Sequence, residues 1–310
     1  LLAAAAFVAS VSAQEAPPSG FAALFNGKDL SGWKVPAGDG GHWKVVDAAI
    51  DYDAESEAAG DKSLWSEREF GELEESGRSK TRPNYGTLGP LLGLDGDKLA
   101  AVAAGWLPQP VEVSRWRQLR QIATTEGMTV NCYLVWDDAT RDAALFDTGW
   151  TAGPVFKLIA ERGLQLQHLF ITHTHTDHIA AITEIRQKFP DVKCHSNARG
   201  APAAQRNSPD KVAELGGLQS GSRDTPGHAE DGATYVITGF PGAAPAAAVV
   251  GDAIFAGSIG GARQLAGLAK QKIREHILSL PLETLICPGH GPLTTVGEEL
   301  THNPFFVRPH

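Results

Sequence analysis

Three scattered cysteines in 310 residues are too few for a disulfide-dense scaffold or a Cys-rich zinc ribbon. Being odd in number, Cys132, Cys194 and Cys287 cannot all pair within the chain. Cys132 and Cys287 fall in strand-like apolar runs and read as buried apolar residues. There is no basic surplus: the formal net charge is -9, which argues against an electrostatic nucleic-acid binder because nothing displaces counterions from phosphates. No apolar run reaches the roughly 18 residues of a membrane-spanning helix. With 42% hydrophobic and 20% charged residues the chain has a globular balance, and its length allows one large domain or two ordinary ones. What it has instead is histidine, 11 residues that bunch in a few places.

Residues 1–13 are apolar and Ala-rich, and Val11-Ser12-Ala13 resembles a small-residue cleavage site before Gln14. This predicts an export signal, begun inside its own length because the initiator Met and basic n-region are missing, and hence a periplasmic or secreted protein. Residues 21–75 are acidic and carry Trp33, Trp43 and Trp65 in short alternating runs broken by Asn26-Gly27 and Asp39-Gly40. That is strand-and-turn composition. The string LFNGKDLSGWKV, followed by GHWKVVDAAIDYD and DKSLWSEREFGELE, resembles the opening of the 3-keto-disaccharide hydrolase family of lectin-like β-sandwiches, and implies a truncated β-rich fragment. Residues 76–110, with Arg82-Pro83, Gly89-Pro90 and Asp95-Gly96, read as a linker holding at most a helical turn or two.

From residue 111 to 310 strands alternate with helices. Strands are predicted at 129–136, 143–146, 167–172, 192–195, 234–238, 247–250 and 284–287. Helices are predicted at 154–162, closed by Gly163, at 179–189, stopped by Pro190, and at 263–280. Thr295 and Glu298 form a capping box for a last short helix. The pattern predicts an α/β architecture of two sheets with helices outside.

The chemistry lies in five places. Thr172-His173-Thr174-His175-Thr176-Asp177-His178 follows an apolar strand and packs four candidate ligands into six residues. Strand alternation sends His173 and His175 to one side, and the following turn can bring Asp177 and His178 to a neighbouring point, so one segment can serve two metal ions. His228 follows a Pro226-Gly227 turn, Asp252 ends an apolar strand, and His290 stands between two glycines after another. Ligands at strand ends are held by a rigid sheet to the tolerance a metal needs. Asp147 reads equally well as a carboxylate orienting a ligand His or as a helix-entry turn residue. His42, His168, His195, His276, His302 and His310 are left out of the site.

These motifs resemble those of the metallo-β-lactamase superfamily over residues 115–305. Within it, GDAIFAGSIGGA and CPGHGPLTTVGEELTHNPFF are similar to single-domain bacterial glyoxalase II-like (hydroxyacylglutathione hydrolase-like) proteins. The resemblance implies a four-layer αββα sandwich. It implies that His173, His175 and His228 hold one metal ion, that Asp177, His178 and His290 hold a second, and that Asp252 bridges them. Such a donor set suits Zn2+, with iron or manganese as the other fits. Two ions sharing a carboxylate lower the pKa of a shared water, and the resulting hydroxide attacks an acyl carbonyl, so no Ser or Cys nucleophile is required. Asp177 is the residue placed to orient that nucleophile and relay its proton.

The resemblance thus implies a metallo-hydrolase acting on a small-molecule acyl substrate, a thioester first. β-Lactams and lactones are the alternatives within the fold. Metallo-β-lactamases with HxHxDH generally lack the bridging Asp; others place a Cys as second-site ligand, and Cys287, three residues before His290, is not in that position. Persulfide dioxygenases, which use one iron, usually carry Gly-Arg-Thr-Asp where this chain has Ser258-Ile259-Gly260-Gly261. Two-domain glyoxalase II enzymes bind glutathione partly through a C-terminal helical domain, and this sequence stops at His310. Lys270, Lys272 and Arg274 either meet an anionic substrate or form a solvated helix face, the second being favoured. The rival from another class is a carbohydrate-binding module with an incidental metal site.

Overall fold

The computed structural model describes residues 25–26, 28–35, 43–46, 49–52, 65–66, 84–208, 212–262 and 265–307. The chain forms two compact units, Leu1–Pro83 and Asn84–His310. The apolar leader at 1–13 and residues His42 and His310 lie outside the described residues. In the first unit, Asn26 Oδ1 accepts from the backbone N–H groups of Lys28 (2.8 Å) and Asp29 (3.0 Å), a turn made by the Asn side chain. Strand β1 (Trp33–Lys34), the hairpin strands β2 (Trp43–Val46) and β3 (Ala49–Tyr52), and β4 (Trp65–Ser66) follow. β2 pairs antiparallel with β3, and β1 with β4. Much of the rest of 21–75 lies outside the described residues, and the lectin-like resemblance rests on sequence alone.

The expected linker at 76–110 is corrected over its second half. Helices α1 (Tyr85–Leu91) and α2 (Gly96–Ala103) form there and belong to the larger unit. The glycines that read as breakers let the two helices touch: a Cβ on Gly89 would lie 2.6 Å from the Gly96 backbone. Leu94 is buried, and Lys98 donates to the carbonyls of Leu300 (2.9 Å) and Phe306 (2.6 Å), tying this hairpin to the C-terminal segment.

Two mixed sheets follow. The first is β5 (Leu119–Glu126), β6 (Met128–Trp136), β7 (Asp142–Phe146), β8 (Gln165–Phe170) and β9 (Lys193–His195), in that order. Its β7–β8 and β8–β9 pairs are parallel. The second contains β10 (Val212–Leu215), β11 (Leu218–Asp224), β12 (Ala233–Thr238) and β13 (Ala247–Gly251). A separate hairpin, β14 (Ile254–Phe255) with β15 (Ser258–Ile259), precedes its last strands, β16 (Leu285–Pro288) and β17 (Thr294–Thr295). The order is β10-β11-β12-β13-β16-β17, parallel at β13–β16. The helices are α3 (Gly153–Arg162), α4 (Thr176–Ile179), α5 (Ile182–Lys188), α6 (Ala266–His276) and α7 (Val296–His302).

Period-two alternation assigns each strand's residues to different layers. Tyr133 and Val135 of β6 pack between the sheets with Phe146, Phe170, Tyr235, Val249 and Cys287. Cys132, Leu134 and Trp136 of the same strand face the other way, onto Val155 and Ile159 of α3 and Ile185 of α5. On the far side Ala248, Val250 and Ile286 meet Ile273 of α6 and Val296 of α7. The fold is thus the αββα sandwich, and its central strands read as unbroken apolar runs because both of their faces are covered. The helix predicted at 263–280 is shorter: α6 ends at His276, and Ile277, Leu278 and Leu280 stay buried in turns before Pro281, which disfavours helix at the residue before it. The helix predicted at 179–189 is broken between α4 and α5. The predicted capping box is present, Thr295 Oγ1 accepting from Glu298 N at 3.2 Å.

Candidate metal centre

Strands β7 and β8 run parallel in the first sheet, and β11, β13 and β16 run the same way in the second; sites in sheets with parallel strands usually lie at the strands' C-terminal ends. Asp147 follows β7, His173 and His175 follow β8, and Asp177 and His178 lie in the short helix α4. His228 follows β11, Asp252 follows β13, and His290 follows β16. The structure brings all seven predicted ligands together. One nitrogen each from His173, His175 and His228 fall within 4.8 Å of one another, as do ligand atoms of Asp177, His178 and His290. His173, His178 and Asp252 form a third such group that joins the two. Asp252 stands between the clusters: Oδ1 is 3.3 Å from His178 Nε2, and Oδ2 is 3.5 Å from His228 Nε2 and 3.3 Å from His290 Nε2. Asp177 Oδ2 lies 3.2 Å from His290 Nε2 and 3.6 Å from His178 Nε2.

The hydrogen bonds of the outward ring nitrogens explain which nitrogens face inward. His178 Nδ1 donates to Asp147 Oδ2 (2.8 Å), His228 Nδ1 to the Gly261 carbonyl (3.0 Å) and His290 Nδ1 to the Thr129 carbonyl (2.6 Å). His173 Nδ1 faces Thr172 Oγ1 at 3.1 Å, whose own hydrogen goes to Asp147 Oδ2. Each of these rings therefore directs its Nε2 inward, where it offers a lone pair whenever the ring is neutral. His175 differs, presenting Nδ1 at 3.1 Å from His173 Nε2 and 3.0 Å from His228 Nε2. Lone pairs converging in this way repel unless a proton or a cation lies between them.

A metal ion fits the residues present. The buried atoms His178 Nε2 and Asp252 Oδ1 have no hydrogen-bond partner, a costly arrangement that a cation relieves. Gly289 keeps the space beside them clear, since a Cβ there would run into Asp252 Oδ1 and lie 2.6 Å from His178 Cε1. Burial pushes the His173 ring down to about 2, keeping it neutral as a ligand must be. Burial also lowers His228. For His178 burial acts in the same direction, but the Asp147 and Asp252 carboxylates outweigh it and carry the ring up to about 10. Burial likewise opposes ionisation of Asp252, yet His178 and His290 hold its carboxyl well below the usual range.

Asp147 holds the His178 ring rather than a helix end. It is 1% exposed, and its carboxylate also accepts from Thr172 N (2.7 Å), whereas the cap residue of α3, Ala152, makes no side-chain cap bond. Its backbone is left-handed, φ +57°, a strained state for a non-glycine that clusters at functional sites. Replacing Asp147 by Ala is expected to weaken metal affinity roughly 10- to 100-fold, measured by competition with a chromophoric chelator. Unchanged affinity would show that the His178 ring is held without it.

Of the histidines excluded by sequence, the four among the described residues stay out. His168 Nδ1 and His195 Nε2 contact one another at 2.8 Å, His302 stacks on Trp106, and His276 lies 3.9 Å from Glu275. Lys270 lies over Phe305 and Arg274 over Phe306, while Lys272 pairs with Glu275, as expected for a helix face. Two residues that sequence reading passed over touch the site's supports: Asn131 and Tyr133, both bonded to the loop that carries His290. A buried Asn inside the apolar run TVNCYLVW was the available signal.

Residues 125–296 match the family model described as metallo-beta-lactamase superfamily. The chain is 30% identical over 210 residues to the hydroxyacylglutathione hydrolase GloC of Haemophilus influenzae, covering 60% of this chain and 96% of that one. Among solved structures it is similar to the BLEG-1 B3 metallo-beta-lactamase, with 27% identity, a TM-score of 0.51, and 60% of this chain and 98% of that one covered. It is also similar to ETHE1 from Myxococcus xanthus, with 29% identity, a TM-score of 0.51, and 60% and 83% covered. With more than half of its length inside the family model and the fold and ligand motifs described above, the chain belongs to the metallo-beta-lactamase superfamily.

Proposed function

We propose that this protein is a binuclear metallo-hydrolase that cleaves an acyl bond, and that its substrate is a thioester of the hydroxyacylglutathione class. The observation that carries the reading is Asp252, whose two oxygens face ligand atoms of both clusters. The similarity to a hydroxyacylglutathione hydrolase at 30% identity supports the substrate class. Bound ions would supply Lewis-acid polarisation of the carbonyl and an activated water at neutral pH. His173, His175 and His228 would hold one ion, and Asp177, His178 and His290 the other. Asp177 is the least enclosed of the carboxylates at the site and is placed to take up and return a proton. Zinc suits this nitrogen-rich set, and iron or manganese would be held by the same atoms.

A panel of S-lactoylglutathione, a lactone and a β-lactam tests the reading, run on protein of measured metal content. The expected result is thioester hydrolysis by protein carrying close to two metal equivalents, lost on chelation and restored by metal. Cleavage of the lactone or β-lactam alone would overturn the substrate and keep the reaction class. Full activity after exhaustive chelation would overturn the class.

A further inference from the structure

We infer that Asn131 and Tyr133 are positioning residues for His290, clamping its loop so that the Asp177–His178–His290 cluster is preformed. This rests on reading the two clusters as metal half-sites. His290 leaves β16, a strand of the second sheet, between Gly289 and Gly291, and Gly291 has φ +77°. Glycines on both sides make such a loop flexible on its own, so the ring needs outside support to hold a fixed direction. The second sheet supplies one bond from its own side, Gly289 N to the Gly251 carbonyl at 2.8 Å.

The rest comes from β6, across the sandwich. Asn131 N donates to the Gly289 carbonyl (2.7 Å). Its side-chain amide donates to the Pro288 carbonyl (3.1 Å) and the Gly291 carbonyl (3.0 Å), spanning the loop from one end to the other. Tyr133 Oη donates to the Pro288 carbonyl at 2.7 Å, and the Thr129 carbonyl receives His290 Nδ1 at 2.6 Å. Asn131 and Tyr133 are 3% and 1% exposed, so water does not substitute for either. The chemistry is specific. A primary amide offers two hydrogens to two carbonyls, whereas an isosteric carboxylate would set its oxygens against theirs. The supports of the other cluster, Thr172 for His173 and Gly261 for His228, lie elsewhere. Loss of the clamp should therefore fall on one half-site.

The test is a stepwise cobalt(II) titration of the metal-free full chain, followed by calorimetry and by the visible absorption of bound cobalt. Wild type is expected to take two equivalents. In Asn131→Asp the first should bind within about twofold of wild type and the second at least tenfold more weakly, the same step that His290→Ala removes. Tyr133→Phe, which keeps the packed ring and removes one donor, should weaken that step alone and by less. It carries the test if Asn131→Asp does not fold. Wild-type binding of both equivalents by Tyr133→Phe and Asn131→Asp would overturn the inference. So would equal weakening of both steps in a variant whose thermal melt is unchanged. A wild type that takes only one equivalent would instead overturn the two-half-site reading, and the inference with it.

Discussion

Replacing Asp252 by Ala should reduce thioester hydrolysis on the order of 10³-fold or more, since a catalytic metal stabilises a transition state by several kcal/mol and about 4 kcal/mol corresponds to that factor. The residue is 7% exposed, and its two oxygens face three of the five converging imidazoles, His178, His228 and His290. Other candidate ligands belong to one cluster or to its edge. Asp252 meets both, so its loss both weakens metal binding and separates the two half-sites. Asp252→Asn is the informative companion, because it keeps the shape and one oxygen while removing the charge. It should retain the fold and bind less than two equivalents of metal. The measurements are kcat/KM on S-lactoylglutathione and metal content after dialysis. If Asp252→Ala kept two equivalents and activity within tenfold of wild type, Asp252 would not be the bridge.

How much of this was legible in the sequence follows from what each residue meets. The runs around Val130–Val135, Ala247–Val250 and Leu285–Cys287 read as strands because both faces are buried, one between the sheets and one under helices. Six of the seven candidate ligands were legible because His and Asp stand at or just past the ends of apolar strands, where a polar residue has few structural reasons to be, and His228 was legible from its Pro226-Gly227 turn. Of the sandwich's longer strands, β5, β10 and β11 were not anticipated. β5 and β10 are edge strands, β11 is interior, and their partly exposed sequences, LRQIATTE, VAEL and LQSGSRD, look like loops. The helices α1 and α2 were hidden by Gly89, Pro90 and Gly96, which locally signal a turn. Only the contact of Gly89 with Gly96 shows that those glycines serve close approach. The role of Asn131 was hidden for a different reason. Its partners, Pro288 and Gly291, lie more than 150 positions away in the other sheet.

The smallest change with a large expected effect is Gly289→Ala. A single methyl at this position would run into Asp252 Oδ1 and lie 2.6 Å from His178 Cε1 and 3.2 Å from His178 Nε2. Those are the same two side chains whose buried inward atoms lack a hydrogen-bond partner, so the methyl would occupy the space in which a cation satisfies them. Neither neighbour yields cheaply. His178 is 0% exposed and held by Asp147 at Nδ1, and Asp252 is fixed by the end of β13. The backbone gives no independent reason for glycine here, since Gly289, unlike Gly291 at φ +77°, is not in the left-handed region. The variant should therefore fold, yet bind metal poorly and lose activity about as far as Asp252→Ala, on the order of 10³-fold. Gly291→Ala is the control of opposite kind: its backbone is strained for Ala, but a Cβ there meets nothing within 4 Å. It should cost about 1 kcal/mol of stability and leave metal stoichiometry near wild type. Thermal melts and metal analysis on the pair separate the two effects. Were Gly289→Ala to carry a full complement of metal, the space beside Asp252 and His178 would not be where an ion sits.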